Sequence, residues 1–155
     1  MRGLLNKNFG GFALVAVLSA GVAMVAIAQD ATLEKRTSTM KATGGHMKAL
    51  NMSAKGEAPI NADTVKAAEG VVANSKHTVA MFKGGTAGKG SAAKAEIWTD
   101  WAGFEKAAKA FEDAAPGLVP AAQSGEAPKL LTAVQAVGAT CGGCHKPYKL
   151  DKKVE

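Results

Sequence analysis

Residues 141–145 read Cys-Gly-Gly-Cys-His, a C-x-x-C-H run ten residues before the end of a 155-residue chain. Two thiols at this spacing can add across the two vinyl groups of a porphyrin and hold it by thioether bonds, and the histidine that follows can give an imidazole nitrogen to the iron. On a helix Cys141 and His145 are one turn apart, and Cys144 falls on the same side. The two glycines between the thiols carry no side chain that would collide with a flat macrocycle. The expected cofactor is haem c, one per chain, held by Cys141 and Cys144, with His145 as an axial ligand. Three other uses of a C-x-x-C pair compete: a redox couple, half of a zinc site, or a plain disulfide. The redox couple usually accompanies a βαβ pattern, and none is visible. Zinc would need two further ligands, but there is no other cysteine, and His46 and His77 lie far away in sequence. A disulfide leaves the adjoining histidine unexplained.

Four helical segments can position this run. The first spans about Ala31 to Lys55, where Leu33, Met40, Met47 and Ala54 recur every seven residues. Gly44-Gly45 inside it costs about 1 kcal/mol per glycine against alanine, which implies that another helix or a flat cofactor approaches there. Ala58-Pro59 ends it. The second spans about Asn61 to Lys83, capped by Asn61 or Asp63, with a stripe of Val65, Ala68, Val72, Val79 and Phe82. Lys76 and His77 fall beside the stripe, in solvent. Gly84 to Ala95 is a short flexible connection. The third spans about Glu96 to Ala115. Its Ile97, Trp101, Phe104, Ala108 and Phe111 form a stripe read as core, one ring of which can also touch a haem. Pro116-Gly117 stops it, and Pro120 to Pro128 is a loop. The last spans about Ala127 to Lys152, with Leu131, Val134, Gly138, Cys141, His145 and Tyr148 on one face. No strand alternation is visible. The expected fold is all-α: an antiparallel four-helix bundle with a covalently attached haem near its C-terminus.

Met1 to Ala28 reads as an export signal: Arg2 and Lys7 make a basic start, Phe9 to Ala28 is uncharged, and Ala26-Ile27-Ala28 is a small-x-small cleavage pattern. The apolar run is also nearly long enough to be an uncleaved anchor. Cleavage leaves residues 29–155 as one bundle domain. Of the 19 basic residues, Arg2 and Lys7 are lost with the signal, so 17 remain against 13 acidic residues, a net charge of +4. That surplus is mild, scattered and poor in aromatic company, which argues against a nucleic-acid partner. Carboxylates are scattered and no Ser/His/Asp arrangement is visible, so an enzyme is not expected.

Several runs carry a family likeness. Cys141-Gly-Gly-Cys-His145 with Lys146-Pro-Tyr148-Lys149 resembles the closing motif of the class II c-type cytochromes, the cytochrome c′ family. Arg36-Thr-Ser-Thr-Met40-Lys-Ala-Thr-Gly-Gly-His-Met47 resembles that family's first helix. Lys55-Gly-Glu-Ala-Pro59 and Glu96-Ile-Trp98 resemble its inter-helix signatures. The likeness spans about Ala31 to Lys149 and is weakest in the Gly84 to Ala95 connection. It implies export to the periplasm, where thioether attachment takes place, and a monomer or a homodimer.

Met40 decides between branches of that family. It aligns with the first-helix residue on the open side of the iron. In cytochrome c′ proper this residue does not coordinate, and the iron can take up NO or CO. In the low-spin relatives of cytochrome c-556 type, which the surrounding run resembles most, a Met here is the sixth ligand. The resemblance also places Arg36, one turn earlier, near the haem propionates, which a guanidinium can bind in bidentate fashion. Met47 lies roughly 10 Å further along the axis and is read as core, like Met52. His46 is expected in solvent. Lys146, Lys149, Lys152 and Lys153 suit the C-terminal end of a helix dipole, or equally form a basic rim that steers an acidic redox partner. The leading expectation is a carrier of single electrons between redox partner proteins, with iron held by His145 and Met40. The alternative is a five-coordinate haem protein that binds NO or CO. A third reading is a haem-free exported bundle with a Cys141–Cys144 disulfide.

Overall fold

The computed structural model describes residues 16–85 and 87–152, with side chains described from residue 32 onward. Its helices are α1 (Ala16–Ala54), α2 (Ala62–Ser75), α3 (Thr78–Phe82), α4 (Glu96–Thr99), α5 (Trp101–Ala114), α6 (Leu118–Gln123) and α7 (Ala127–Tyr148), with a 3₁₀ turn over Ala115–Gly117. No strand forms among the described residues, where β pairing is confined to a bridge between Ala93 and Lys149. The export segment lies outside the described residues as far as residue 15, and residues 16–28 begin α1. Among the described residues no helix is long and apolar enough to cross a membrane.

The long helices α1, α2, α5 and α7 pack as an antiparallel four-helix bundle. Asn74 Nδ2 donates to Thr43 Oγ1 at 3.1 Å, while Ser53 Oγ lies 3.4 Å from Thr64 Oγ1, so each step up α1 is a step down α2. Asp100 and Phe104 at the start of α5 meet Tyr148 at the end of α7. Leu50 and Ala54 at the end of α1 share a core with Leu130 and Val134 at the start of α7.

Local chemistry explains where the elements begin and break. Asn61 caps α2: its Oδ1 accepts the Asp63 and Thr64 amides, and Thr64 Oγ1 accepts the Asn61 amide in return. The expected single helix over 61–83 is two helices. The Ser75 and Thr78 hydroxyls donate back to the carbonyls of Val72 and Asn74 around the break, a bond that competes with the helix ladder. The third segment breaks at Asp100, which leaves helical geometry and caps α5 through Gly103 N–H. The loop expected over 120–128 begins too early. After the 3₁₀ turn the chain re-enters a helix, α6, with Pro120 in its first turn, where an amide has no intrahelical partner to lose.

Two apolar cores result. The larger joins Leu50, Val71, Phe111, Leu118, Leu130, Val134 and Val137 with small alanines. The smaller joins Ile97, Phe104 and Tyr148, flanked by Phe82, Trp98 and Trp101. The buried faces keep Ala68, Val134 and Tyr148 of the expected stripes and otherwise sit about one residue away from them. On α2 the centre is Ala67, Ala68 and Val71, with Val65 and Val72 half-buried. On α7 it is Leu130, Val134, Val137 and Tyr148, with Gly138 and His145 exposed. Lys76 and His77 are exposed as expected. Met47 packs on the larger core, but Met52 is 36% exposed, so its assignment to packing is corrected. Nothing approaches Gly44 or Gly45 within 4 Å of an added Cβ; the close approach on this helix pair is instead His46 of α1 against Gly70 of α2, which leaves His46 half-buried.

Leu118→Ala removes a side chain with no solvent exposure and is expected to cost about 2–5 kcal/mol of stability. Asn61→Ala is expected to cost about 1 kcal/mol through loss of the cap. Denaturant titration of the holoprotein checks both.

Candidate haem-binding site

At the end of the bundle away from the larger core, the helices part around an apolar cavity of about 350 Å³ that opens to solvent on one side. Leu33, Arg36, Thr37, Met40 and Lys41 of α1 form one wall. Thr78 and Phe82 of α3, residues 91–93, Ile97 of α4 and Phe104 of α5 form a second. Cys144, His145 and Tyr148 of α7, with Lys149, close it. The volume lies within the range of small-molecule sites, and the lining is mostly apolar with a few polar groups, as such sites usually are.

The two cysteines reach different neighbours. Cys141 packs on the larger core and Cys144 on the aromatic one, and both are free, half-buried thiols. Burial pushes both thiols up from their ordinary pKa, and for Cys144 the neighbouring Cys141 adds to the shift. They are therefore protonated at neutral pH, the opposite of the acidic thiol that a redox couple uses. Among the described residues no group of three or more His, Cys, Asp or Glu gathers where it could hold a metal ion. His145 borders the cavity and is exposed at its open side. Partial burial, and then the charge of Lys149, lower its pKa below 6.5. At neutral pH the imidazole is uncharged, with a nitrogen lone pair available to a metal. Two thiols, a neutral imidazole and a mostly apolar cleft fit an iron porphyrin.

Arg36 is only 6% exposed, although it is a cation. Its guanidinium lies 5.1 Å from the centre of the Phe82 ring and 5.8 Å from that of Trp98. Trp98 is held in turn by its indole N–H, which donates to the Phe82 carbonyl at 2.9 Å. Stacking on two ring faces contributes about 0.5–2 kcal/mol toward keeping the charge inside, while burial lowers its pKa. The side chain borders the cavity and so remains within reach of an acidic group placed there.

The structure thus brings Arg36, Met40, Cys144 and His145 to one cavity, with Cys141 one turn behind on α7. Of the aromatic stripe, Ile97 and Phe104 line the cavity and Trp101 does not. Lys149 lines it, Lys146 and Lys152 are exposed nearby in sequence, and Lys153 lies outside the described residues. Sequence reasoning missed the wall made by Thr78, Phe82 and residues 91–93. The expected flexible connection is stitched to the end of α7: Leu150 N–H donates to Ala92 O at 2.7 Å, and Lys94 N–H to Tyr148 O at 3.0 Å. A run of small residues gives no periodic signal for such pairing.

The family described as Cytochrome C′ matches residues 31–149. The chain belongs to the cytochrome c′ family. The cytochrome c′ of Pararhodospirillum photometricum is 39% identical over 121 residues, covering 77% of this chain and 97% of the relative. The cytochrome c-556 of Agrobacterium tumefaciens (strain B2A) is 43% identical over 122 residues, covering 77% and 98%. Among solved structures, cytochrome c′ from Rubrivivax gelatinosus superposes with a TM-score of 0.69 at 32% identity, covering 76% of this chain and 94% of that one. A ferrous variant of cytochrome c′ from Alcaligenes xylosoxidans with bound NO gives 0.70 at 34% identity, covering 78% and 94%. For a member of this family the cofactor is covalently attached haem c, and both cysteines that it needs are present.

Tyr148, the one tyrosine of the chain, donates its hydroxyl to Asp100 Oδ2 at 2.6 Å. That bond, then burial and the charge of Asp100, push its pKa up to about 12. The protonated form is favoured in the fold, so the contribution to stability is full below the unfolded value of about 10 and is lost as pH rises to about 12. Tyrosinate ultraviolet absorbance is expected to appear near pH 12 in the folded protein and to return toward about pH 10 in Asp100→Ala.

Proposed function

We propose that this cytochrome is a periplasmic carrier of single electrons, with His145 and Met40 as the two axial ligands and no substrate turned over. The observation that carries this reading is that Met40 of α1 and His145 of α7 line the same cavity. Haem c, when bound, supplies a one-electron Fe(III)/Fe(II) couple. Cys141 and Cys144 would hold it, His145 would offer its neutral imidazole, and Met40 would offer a soft thioether, which favours Fe(II) and raises the potential. Ile97, Phe82 and Phe104 exclude water from the inner side. Arg36 is the group that would meet a propionate. Lys41 and Lys149 border the opening and would draw an acidic redox partner. Export by cleavage after Ala28 would place the chain where haem is attached.

A second reading is supported by the Alcaligenes xylosoxidans neighbour that was solved with NO bound. Here Met40 stays an uncoordinated wall residue, and NO or CO takes the position it would otherwise occupy.

The reduced holoprotein is expected to show a low-spin visible spectrum and to resist CO at neutral pH. Met40→Ala is expected to lose the low-spin pattern and to bind CO at least roughly tenfold more tightly. A high-spin wild-type spectrum with fast, tight CO binding would transfer the assignment to the gas-binding reading. The mass of the purified protein, with or without one haem, decides against or for a haem-free bundle.

A further inference from the structure

Asp100 sits in the break between α4 and α5 and serves two elements at once. Its Oδ1 accepts the Gly103 amide at 3.2 Å and so caps α5; its Oδ2 accepts the Tyr148 hydroxyl at 2.6 Å, from the last residue of α7. A Cβ at 103 would run into both the Asp100 carboxylate and the Tyr148 hydroxyl, so a larger residue there would have to push these two side-chain ends aside. Tyr148 is fixed by its backbone as well, since its carbonyl accepts Lys94 N–H at 3.0 Å. Its ring meets Phe104 edge-on at 5.6 Å, and Phe104 lies 5.0 Å from Phe82. These three rings all border the cavity. Tyr148 follows Cys144 by four residues and His145 by three, so it shares their side of α7.

The place of this bond in the bundle separates it from ordinary packing. The other end of the α5–α7 contact is already secured by Phe111 with Val134 and Val137 in the larger core. At the cavity end that apolar support gives way to the cleft. A short bond to an ionised carboxylate is stronger and more directional than a neutral one. It ties the turn carrying Cys144 and His145 to the wall carrying Phe104.

We propose that Asp100 is a positioning residue for the haem centre: acting through Tyr148, it sets how the Cys144–His145 turn of α7 sits against the aromatic wall of the cavity. Gly103 is the third part of this latch, because it leaves the space in which carboxylate and hydroxyl meet. The proposal rests on His145 being an axial ligand and does not depend on the role of Met40.

The test uses the purified holoprotein. Asp100→Asn keeps a good helix cap while replacing the charged acceptor, and Tyr148→Phe removes the donor alone. Each is expected to shift the midpoint potential and the electron paramagnetic resonance signature of the ferric form beyond replicate scatter. The double variant is expected to shift them no further than the larger single change, because both remove one bond. Asn61→Ala, a cap change in α2 away from the cavity, is expected to lower the unfolding midpoint without moving either readout. The proposal is overturned if Asp100→Asn and Tyr148→Phe lower only the unfolding midpoint, or if their spectroscopic effects simply add. His145→Ala is run alongside. An unchanged ferric signal in that variant sinks the axial assignment and the latch with it. A collapsed signal, with both latch variants like wild type, sinks the latch alone.

Discussion

The cleft between α1, α5 and α7 is the constraint on which the rest of the bundle depends. Helices with apolar faces ordinarily close on one another until the interior is packed as densely as an organic crystal. Here they do so only at one end, where Leu50, Leu118, Leu130 and Val137 interlock. At the other end they part around the cavity that Met40, Cys144 and His145 border. The closed end can therefore serve as a scaffold, and the open end is the candidate site.

The open end is held in shape by directional bonds, because apolar packing alone would let it close. Arg36 stacks on Phe82 and Trp98, and the Trp98 indole N–H is anchored on the Phe82 carbonyl. Residues 92–94 are stitched to the backbone at Tyr148 and Leu150. Asp100 joins the start of α5 to the end of α7. Each bond spans two elements, so the walls of the cleft keep their spacing. The same arrangement explains how a buried cation is tolerated beside an apolar cavity: the ring faces on which it lies offset part of its lost hydration.

Electron transfer and gas binding call for the same scaffold and differ at a single contact. Both would use the thiols and imidazole of α7 and the apolar lining of the cleft. The two readings proposed above part at the wall made by α1, in the role each would give to Met40. Family membership does not separate them, since relatives carrying the names cytochrome c′ and cytochrome c-556 resemble this chain to similar degrees.

The C-x-x-C-H run, the haem c cofactor, the helical class and the C-terminal limits of α1 and α5 were legible in the sequence; the start of α1 and the breaks inside the second and third segments were not. Each legible feature follows from short-range rules: ligand spacing, apolar periodicity, and proline at helix ends. The stripes were right at Ala68, Val134 and Tyr148 and elsewhere on α2 and α7 were displaced by about one residue, because periodicity marks a face broadly and the neighbouring helices choose its centre. The close approach expected at Gly44-Gly45 is instead at Gly70, since a glycine's use depends on what lies opposite. Phe82 and Tyr148 were on expected apolar faces, but their joining of Thr78 and residues 91–93 in one wall, the burial of Arg36 on two rings and the meeting of Asp100 with Tyr148 left no signal in the sequence. They join residues far apart in sequence, 48 positions for Asp100 and Tyr148 and 62 for Arg36 and Trp98. Such contacts are made by the packing of whole helices, so the sequence by itself determined what the chain could bind, and only the tertiary structure decided which side chains surround it.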